Sequence, residues 1–198
     1  TASAKSWRSV LVASTGAGGK GIFALDVTYP DSFSAANVLW ELDNNTLGFS
    51  DLGYTIGDVT IVRLETGTWA ALFANGYNSA SGKALIYVVD LEDGSLIKSF
   101  DTGTTGNGMS TPVAVDTDGN MMADTLYAGD LLGNLWKIDI SDNSNISQWD
   151  FSHRKPTGPS PKPPEPLFIA KDQATPTSAV QPITAKPQVS VHSGGGYM

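Results

Sequence analysis

The sequence predicts an all-β chain folded as a β-propeller, an incomplete ring of about three four-stranded blades plus part of another. Three observations predict it. The chain is only 16 % charged, with few of the long helix formers Lys, Glu and Arg, yet it holds 21 Gly and 11 Pro, a balance that favours short strands and turns. Its apolar runs are short and end in Gly, Asn or Asp. One phrase also returns three times, as GKGIFALDV, GKALIYVVDL and GNLWKIDI: a glycine, a basic or amide residue, an apolar alternation, then Asp among apolar neighbours.

In order along the chain, Val10–Ala13 and Ile22–Val27 flank a glycine-rich turn and read as a β-hairpin, followed by a short strand at Val38–Leu42. The design returns as Trp69–Gly76, Ala84–Leu91, the turn Glu92–Gly94 and the strand Leu96–Phe100. A third copy runs through Thr111–Asp116, Thr125–Gly129, the turn Asp130–Asn134 and Leu135–Ile140, with Trp149–Phe151 as its fourth strand. The segments LVASTG, LFANG and LYAGD hold equivalent places, at a spacing on the order of 50–60 residues, which suits one four-stranded blade with variable loops. A blade cannot bury both faces alone, so such repeats stack around an axis. A β-sandwich offers similar hairpins but rarely repeats internally.

Residues 1–198 read as one partial propeller domain, interrupted at 154–166 by RKPTGPSPKPPEP, a proline-rich loop that cannot pair in a central strand. Beyond it, Leu167–Ala170 reads as a strand and Pro182–Val191 as the start of another, both belonging to an unfinished last blade. The expectation is a piece of a longer propeller. Any signal peptide would lie outside these residues, since TASAKSW carries no charged-then-apolar leader.

The segment with chemistry is Asp116–Asp124, DTDGNMMAD, between two strands. Ca²⁺ wants six to eight oxygens and enough carboxylates to offset its charge. Asp116, Asp118 and Asn120 take the first, third and fifth places, Met122 offers a backbone carbonyl at the seventh, and Asp124 closes the loop as a bidentate ligand, with Gly119 letting the chain wrap. An EF-hand would place Glu at the twelfth position, where Tyr127 stands, and would flank the loop with helices. This is therefore an EF-hand-like loop between strands. Asp, Gly and Asn also suit a plain turn, but three carboxylates in nine residues repel one another without a cation.

Other motifs read as structural. In GAGGKG (Gly16–Gly21), Lys20 precedes Gly21 and a strand rather than Ser or Thr and a helix, so a hairpin turn replaces the phosphate-loop reading. His153 and His192 read as surface loop residues, and Asp26, Asp90 and Asp139 recur after an apolar strand as turn caps. The five tryptophans, Trp7, Trp40, Trp69, Trp136 and Trp149, read as blade packing. A net charge of −8 with scattered basic residues argues against nucleic acid and anionic membranes, and no apolar run is long enough to span a bilayer. Without cysteine there is neither a disulfide scaffold nor a thiolate site.

WRSVLV, GAGGKGIFALDVT, ALFANGYNS, GKALIYVVDLEDGSLI, MSTPVAVDTDGNMMADTLYAGDLLGNLWKIDI and QPITAKP, in that order, closely resemble the C-terminal β-propeller of the PilC/PilY type IV pilus tip adhesins. The resemblance implies calcium on Asp116, Asp118, Asn120, the Met122 carbonyl and Asp124. It implies an exported protein, passing through the periplasm to the outer membrane, cell surface and pilus (fimbrium). There, such proteins promote pilus biogenesis by opposing retraction and support twitching motility and adhesion. The implied partners are pilus subunits (minor pilins) and host-cell or surface receptors. The family propeller is larger than this chain, and Arg154–Pro166 looks like a lineage-specific insertion. Two alternatives stay open: a quinoprotein-dehydrogenase-like propeller enzyme and a generic cell-surface, protein-binding propeller with structural calcium. Against the enzyme, no base–nucleophile set stands out and the vicinal cysteine pair used by some such enzymes is missing.

Overall fold

The computed structural model describes residues 7–173, 175 and 177–190. Blade one is a three-stranded antiparallel sheet of β1 (Val10–Ser14), β2 (Gly21–Asp26) and β3 (Val38–Asp43). Blade two has four strands in sequence order, β4 (Thr60–Arg63), β5 (Trp69–Ala74), β6 (Leu85–Asp90) and β7 (Leu96–Asp101). Blade three runs β8 (Val113–Val115), β9 (Thr125–Gly129) and β10 (Asn134–Asp139), with β11 (Asp150–Phe151) and β12 (Phe168–Ile169) both on the outer side of β10. The all-β propeller expected from the repeats is the observed fold, and its three repeated phrases form β2, β6 and β10.

The period of two residues explains why these blades stack. Successive strand residues point to opposite faces. In blade two, Ala70, Leu72, Ile86 and Val88 face a core shared with Leu126, Ala128, Trp136 and Ile138 of blade three. The intervening Ala71, Phe73, Tyr87 and Val89 face a second core, shared with Ile22, Ala24, Trp40 and Leu42 of blade one. The two central strands of the middle blade, β5 and β6, are therefore buried almost throughout, while β2 and β10 alternate buried and part-exposed residues. Each large side chain so buried contributes roughly 1.5–3 kcal/mol.

Each hairpin also closes on a polar plug that the sequence reading did not single out. Thr15, Asn75 and Asp130 follow β1, β5 and β9, and each side chain accepts the amide opening the next strand, from Gly21, Leu85 and Asn134 respectively. Asp130 is fully buried and also accepts from Asn107 Nδ2, Asn134 Nδ2 and Trp136 Nε1 at 2.8, 2.9 and 2.8 Å. The recurring Asp26, Asp90 and Asp139 are turn caps as read, accepting the amides of Thr28, Glu92 and Ser141 two residues on.

Several elements differ from expectation. β4 was not foreseen, because TIVR is short and only half-buried. Leu167–Ala170 opens no further blade: Leu167 N–H and Ala170 N–H donate to the Leu135 and Gly133 carbonyls at 2.8 Å, making β12 the second half of the outer strand of blade three. Residues 182–190 form no strand, since Pro182 and Pro187 offer no amide to a ladder. Val191, His192 and Gly194–Met198 lie outside the described residues. Trp40, Trp136 and Trp149 are core residues, but Trp7 and Trp69 are 97 % and 55 % exposed and lie outside the buried core.

Candidate metal centre

The nine residues from Asp116 to Asp124 connect β8, the inner strand of blade three, to β9. Their geometry follows from side chains bonding to the local backbone. Asp116 accepts the amides of Gly119 and Asn120 on Oδ1 (2.7 and 3.2 Å) and of Met121 on Oδ2 (2.7 Å). Asp118 accepts Asn120 N–H at 3.0 Å, and Asn120 Oδ1 accepts Met122 N–H at 2.7 Å. Folding so tightly places both Gly119 (φ 82°) and Met121 (φ 68°) in the left-handed region, which costs nothing at glycine and roughly 1–2 kcal/mol at methionine. Desolvation pushes the Asp116 carboxyl up, but the three amides and a hydrogen bond with Asp118 outweigh it and hold it below the usual carboxylate range.

Asp124 is the buried end of the loop, 5 % exposed. Its Oδ2 accepts Thr117 N–H and Thr117 Oγ1–H at 2.7 and 2.6 Å, while its Oδ1 is buried with no hydrogen-bond partner among the described residues. A buried oxygen left without a donor is costly, so it marks a place where a cation fits. The two Thr117 donors occupy Oδ2, leaving Asp124 one open oxygen rather than the two that bidentate closure needs.

A third acid completes the cluster from another blade. Glu65 lies in the β4–β5 turn of blade two, which touches the loop where Ala123 N–H donates to the Arg63 carbonyl at 2.8 Å and Leu64 bridges Ala123 in parallel. One carboxylate oxygen each from Glu65, Asp118 and Asp124 lie within 4.8 Å of one another. Asn120 ties the group together, its Nδ2 donating to Glu65 Oε1 at 2.7 Å and to Asp118 Oδ2 at 3.0 Å. The ion pairs among the described residues join Arg8 to Asp26, Lys83 to Asp51 and Asp101, and Arg154 to Asp150, so none offsets this trio. The acids open onto a pocket of about 670 Å³ that also holds Lys137 and His153. The Lys137 ammonium sits 6.0 Å from the Tyr127 ring centroid.

Of the five expected ligand residues, Asp118 and Asp124 converge on one point, Asn120 bonds across it, and Asp116 fixes the loop beside it. Met122 is half-buried, its amide held by Asn120. Sequence reasoning missed Glu65 and Thr117. Thr117 stands inside the motif at a place the ligand spacing leaves free. Glu65 could be found only by first recognising β4, since nothing in LETGT itself points to blade three. The converging ligand atoms are carboxylate oxygens, which suit a hard divalent cation such as Ca²⁺ and not a soft one.

Comparison with known proteins adds the following. A family model described as the PilY1 beta-propeller domain matches residues 1–197. A type IV pilus biogenesis factor PilY1 homolog of Xylella fastidiosa is 42 % identical over 205 residues, covering 98 % of this chain and 13 % of the relative. The type IV pilus biogenesis factor PilY1 of Pseudomonas aeruginosa strain UCBPP-PA14 is 39 % identical over 206 residues, covering 97 % and 17 %. The crystal structure of the Pseudomonas aeruginosa PilY1 C-terminal domain superposes with a TM-score of 0.81 at 36 % identity, over 96 % of this chain and 39 % of that one. The chain thus spans 13 % and 17 % of the length of these two curated relatives.

Proposed function

The chain belongs to the PilY1 β-propeller family, and from that premise we propose that it is the calcium-binding propeller module of a type IV pilus biogenesis factor. In this reading Asp116, Asp118, Asn120, the Met122 carbonyl and Asp124 hold Ca²⁺. Its occupancy sets the balance of pilus extension against retraction, and with it twitching motility and surface adhesion. The partners are then pilus subunits, with minor pilins foremost, and host-cell or surface receptors. The site of action is the outer surface and pilus, reached through the periplasm. Two things support the reading: the names of the relatives, which are pilus biogenesis factors rather than enzymes, and the chemistry of the loop.

The observation that carries it is the buried, unpartnered Oδ1 of Asp124 beside two further carboxylates. Bound Ca²⁺ supplies the positive charge that such a trio lacks. The chain's own residues do the rest: Asp116 fastens the loop through three amides, Thr117 orients Asp124, and Asn120 spaces Asp118 from Glu65. A loop so fastened is a firm part of the blade-three surface that a partner can read.

Calorimetric titration of Ca²⁺ into metal-free protein is expected to show one site, absent in Asp124→Ala. No binding heat and no calcium-dependent rise in Tm in the parent protein would sink the site. For the pilus role, Asp124→Ala in the full-length protein is expected to change surface pili or twitching. Unchanged piliation and unchanged motility would reduce calcium to a structural ion.

A further inference from the structure

The carboxylates that converge at this site do not all come from the loop. Ca²⁺ takes six to eight oxygens from carboxylates, carbonyls and waters, and the third carboxylate that lies within 4.8 Å of those of Asp118 and Asp124 is that of Glu65 in blade two. Asn120 Nδ2 orients it at 2.7 Å.

We propose that Glu65 is a ligand of the calcium ion from the neighbouring blade, so that the ion ties blade two to blade three instead of stiffening one hairpin. This rests on the calcium reading above. Two independent features support it. The orphaned Asp124 Oδ1 is buried, and so points to a ligand and not to a solvated acidic surface. The turn carrying Glu65 is also held against the loop by backbone contacts that do not depend on its side chain, from Ala123 N–H to the Arg63 carbonyl and in the Leu64–Ala123 bridge. The carboxylate is therefore presented to the site by the stacking of the two blades. Metal binding draws on that stacking and reinforces it in return.

Glu65→Gln and Glu65→Asp, each titrated with Ca²⁺ and followed by thermal melting and amide exchange, test the proposal. The Gln side chain still accepts from Asn120 but brings no charge, and calcium affinity should fall about tenfold or more. The Asp side chain keeps the charge but withdraws the oxygen by one methylene, and a ligand role requires that it weaken binding too. In the metal-free state Glu65→Gln should melt no lower than the parent protein, since it relieves repulsion. Calcium should slow exchange at Leu64 and Gly67 of the blade-two turn in the parent and not in Glu65→Gln. An unchanged affinity in Glu65→Gln overturns the proposal. So does parental affinity in Glu65→Asp, which would make Glu65 a source of charge and no ligand. Failure of the parent protein to bind calcium at all would instead strike the underlying site, so the two failures are distinguishable.

Discussion

Blades two and three are built to one plan, yet they join inner strand to second strand in opposite ways. In blade two the connection Leu64–Thr68 closes on its own backbone, Leu64 N–H bonding to the Thr68 carbonyl at 2.9 Å and Gly67 N–H to the Leu64 carbonyl at 2.8 Å. In blade three the corresponding connection is the nine-residue acidic loop, closed by the side chains of Asp116, Asn120 and Asp124. A turn closed by backbone carbonyls keeps its closing bonds without any ion. One closed by carboxylates concentrates charge wherever the chain tightens, and its rigidity becomes conditional on what neutralises that charge. The same fold position is thus a fixed joint in one blade and an adjustable one in the next.

The largest effect should come from withdrawing calcium from the proposed site. A chelator applied to protein held at about 100 times its Kd in calcium should withdraw about 2.7 kcal/mol of stability, read as a drop in Tm. Asp124→Ala should abolish that response and cost the metal-free protein only about 0.5–1.5 kcal/mol, because the exposed Thr117 donors turn to water when their acceptor is lost. The counterpart in blade two is Gly67→Ala. Gly67 has φ 84° with open space around a built Cβ, so the substitution should cost roughly 1–2 kcal/mol through backbone strain alone. Gly67→Ala leaves the acidic loop untouched, so any fall in calcium affinity it causes would be carried by Glu65, which the same turn presents.

Much of this contrast was legible in the residues before any fold was known, and the limits are instructive. DTDGNMMAD announces itself because local spacing alone puts oxygens at alternating places. The repeats β2, β6 and β10 were legible because both their apolar alternation and their closing aspartate are local signals. What was hidden depends on stacking. Glu65 becomes a site residue only when β4 lies beside β8. Trp69 looks like core until β5 is placed with that residue at its exposed end. Leu167–Ala170 was read as a new blade because an interrupted strand and a fresh one look alike in sequence. Leu135, which an unbroken strand would pair with residue 154, pairs with Phe168 instead, a displacement of fourteen residues.

That interruption extends the comparison to the outer edges, where β7 is continuous and its equivalent is split. The excursion closes largely on itself, Lys155 N–H bonding to the Pro163 carbonyl at 3.0 Å and Glu165 N–H to the His153 carbonyl at 2.9 Å. Arg154 also pairs with Asp150. Excising residues 154–167, which joins His153 directly to Phe168, should therefore change stability by no more than about 1 kcal/mol, since shortening a surface loop alters closure entropy only slowly. It should leave calcium binding intact. Aggregation or a large loss of Tm would show instead that the excursion holds the outer edge of blade three in place.

The smallest effect separates the two connections by acid. Asp116 is held below the usual carboxylate range although desolvation opposes this, because the amides of Met121, Gly119 and Asn120 favour its charged form. A carboxyl whose folded pKa lies below its unfolded value of about 3.9 stabilises the fold above that pH, and the contribution fades as pH falls through the folded pKa. In metal-free protein taken from about pH 5 to pH 3, amide exchange corrected for its intrinsic rate should accelerate at Gly119, Asn120 and Met121, whose acceptor is being protonated. Leu64 and Gly67 donate to backbone carbonyls, which do not titrate, and their protection should hold over the same range. Equal loss of protection in both connections would mean that acid acts on the whole stack of blades and that the distinction between a backbone-closed and a carboxylate-closed turn has no local consequence.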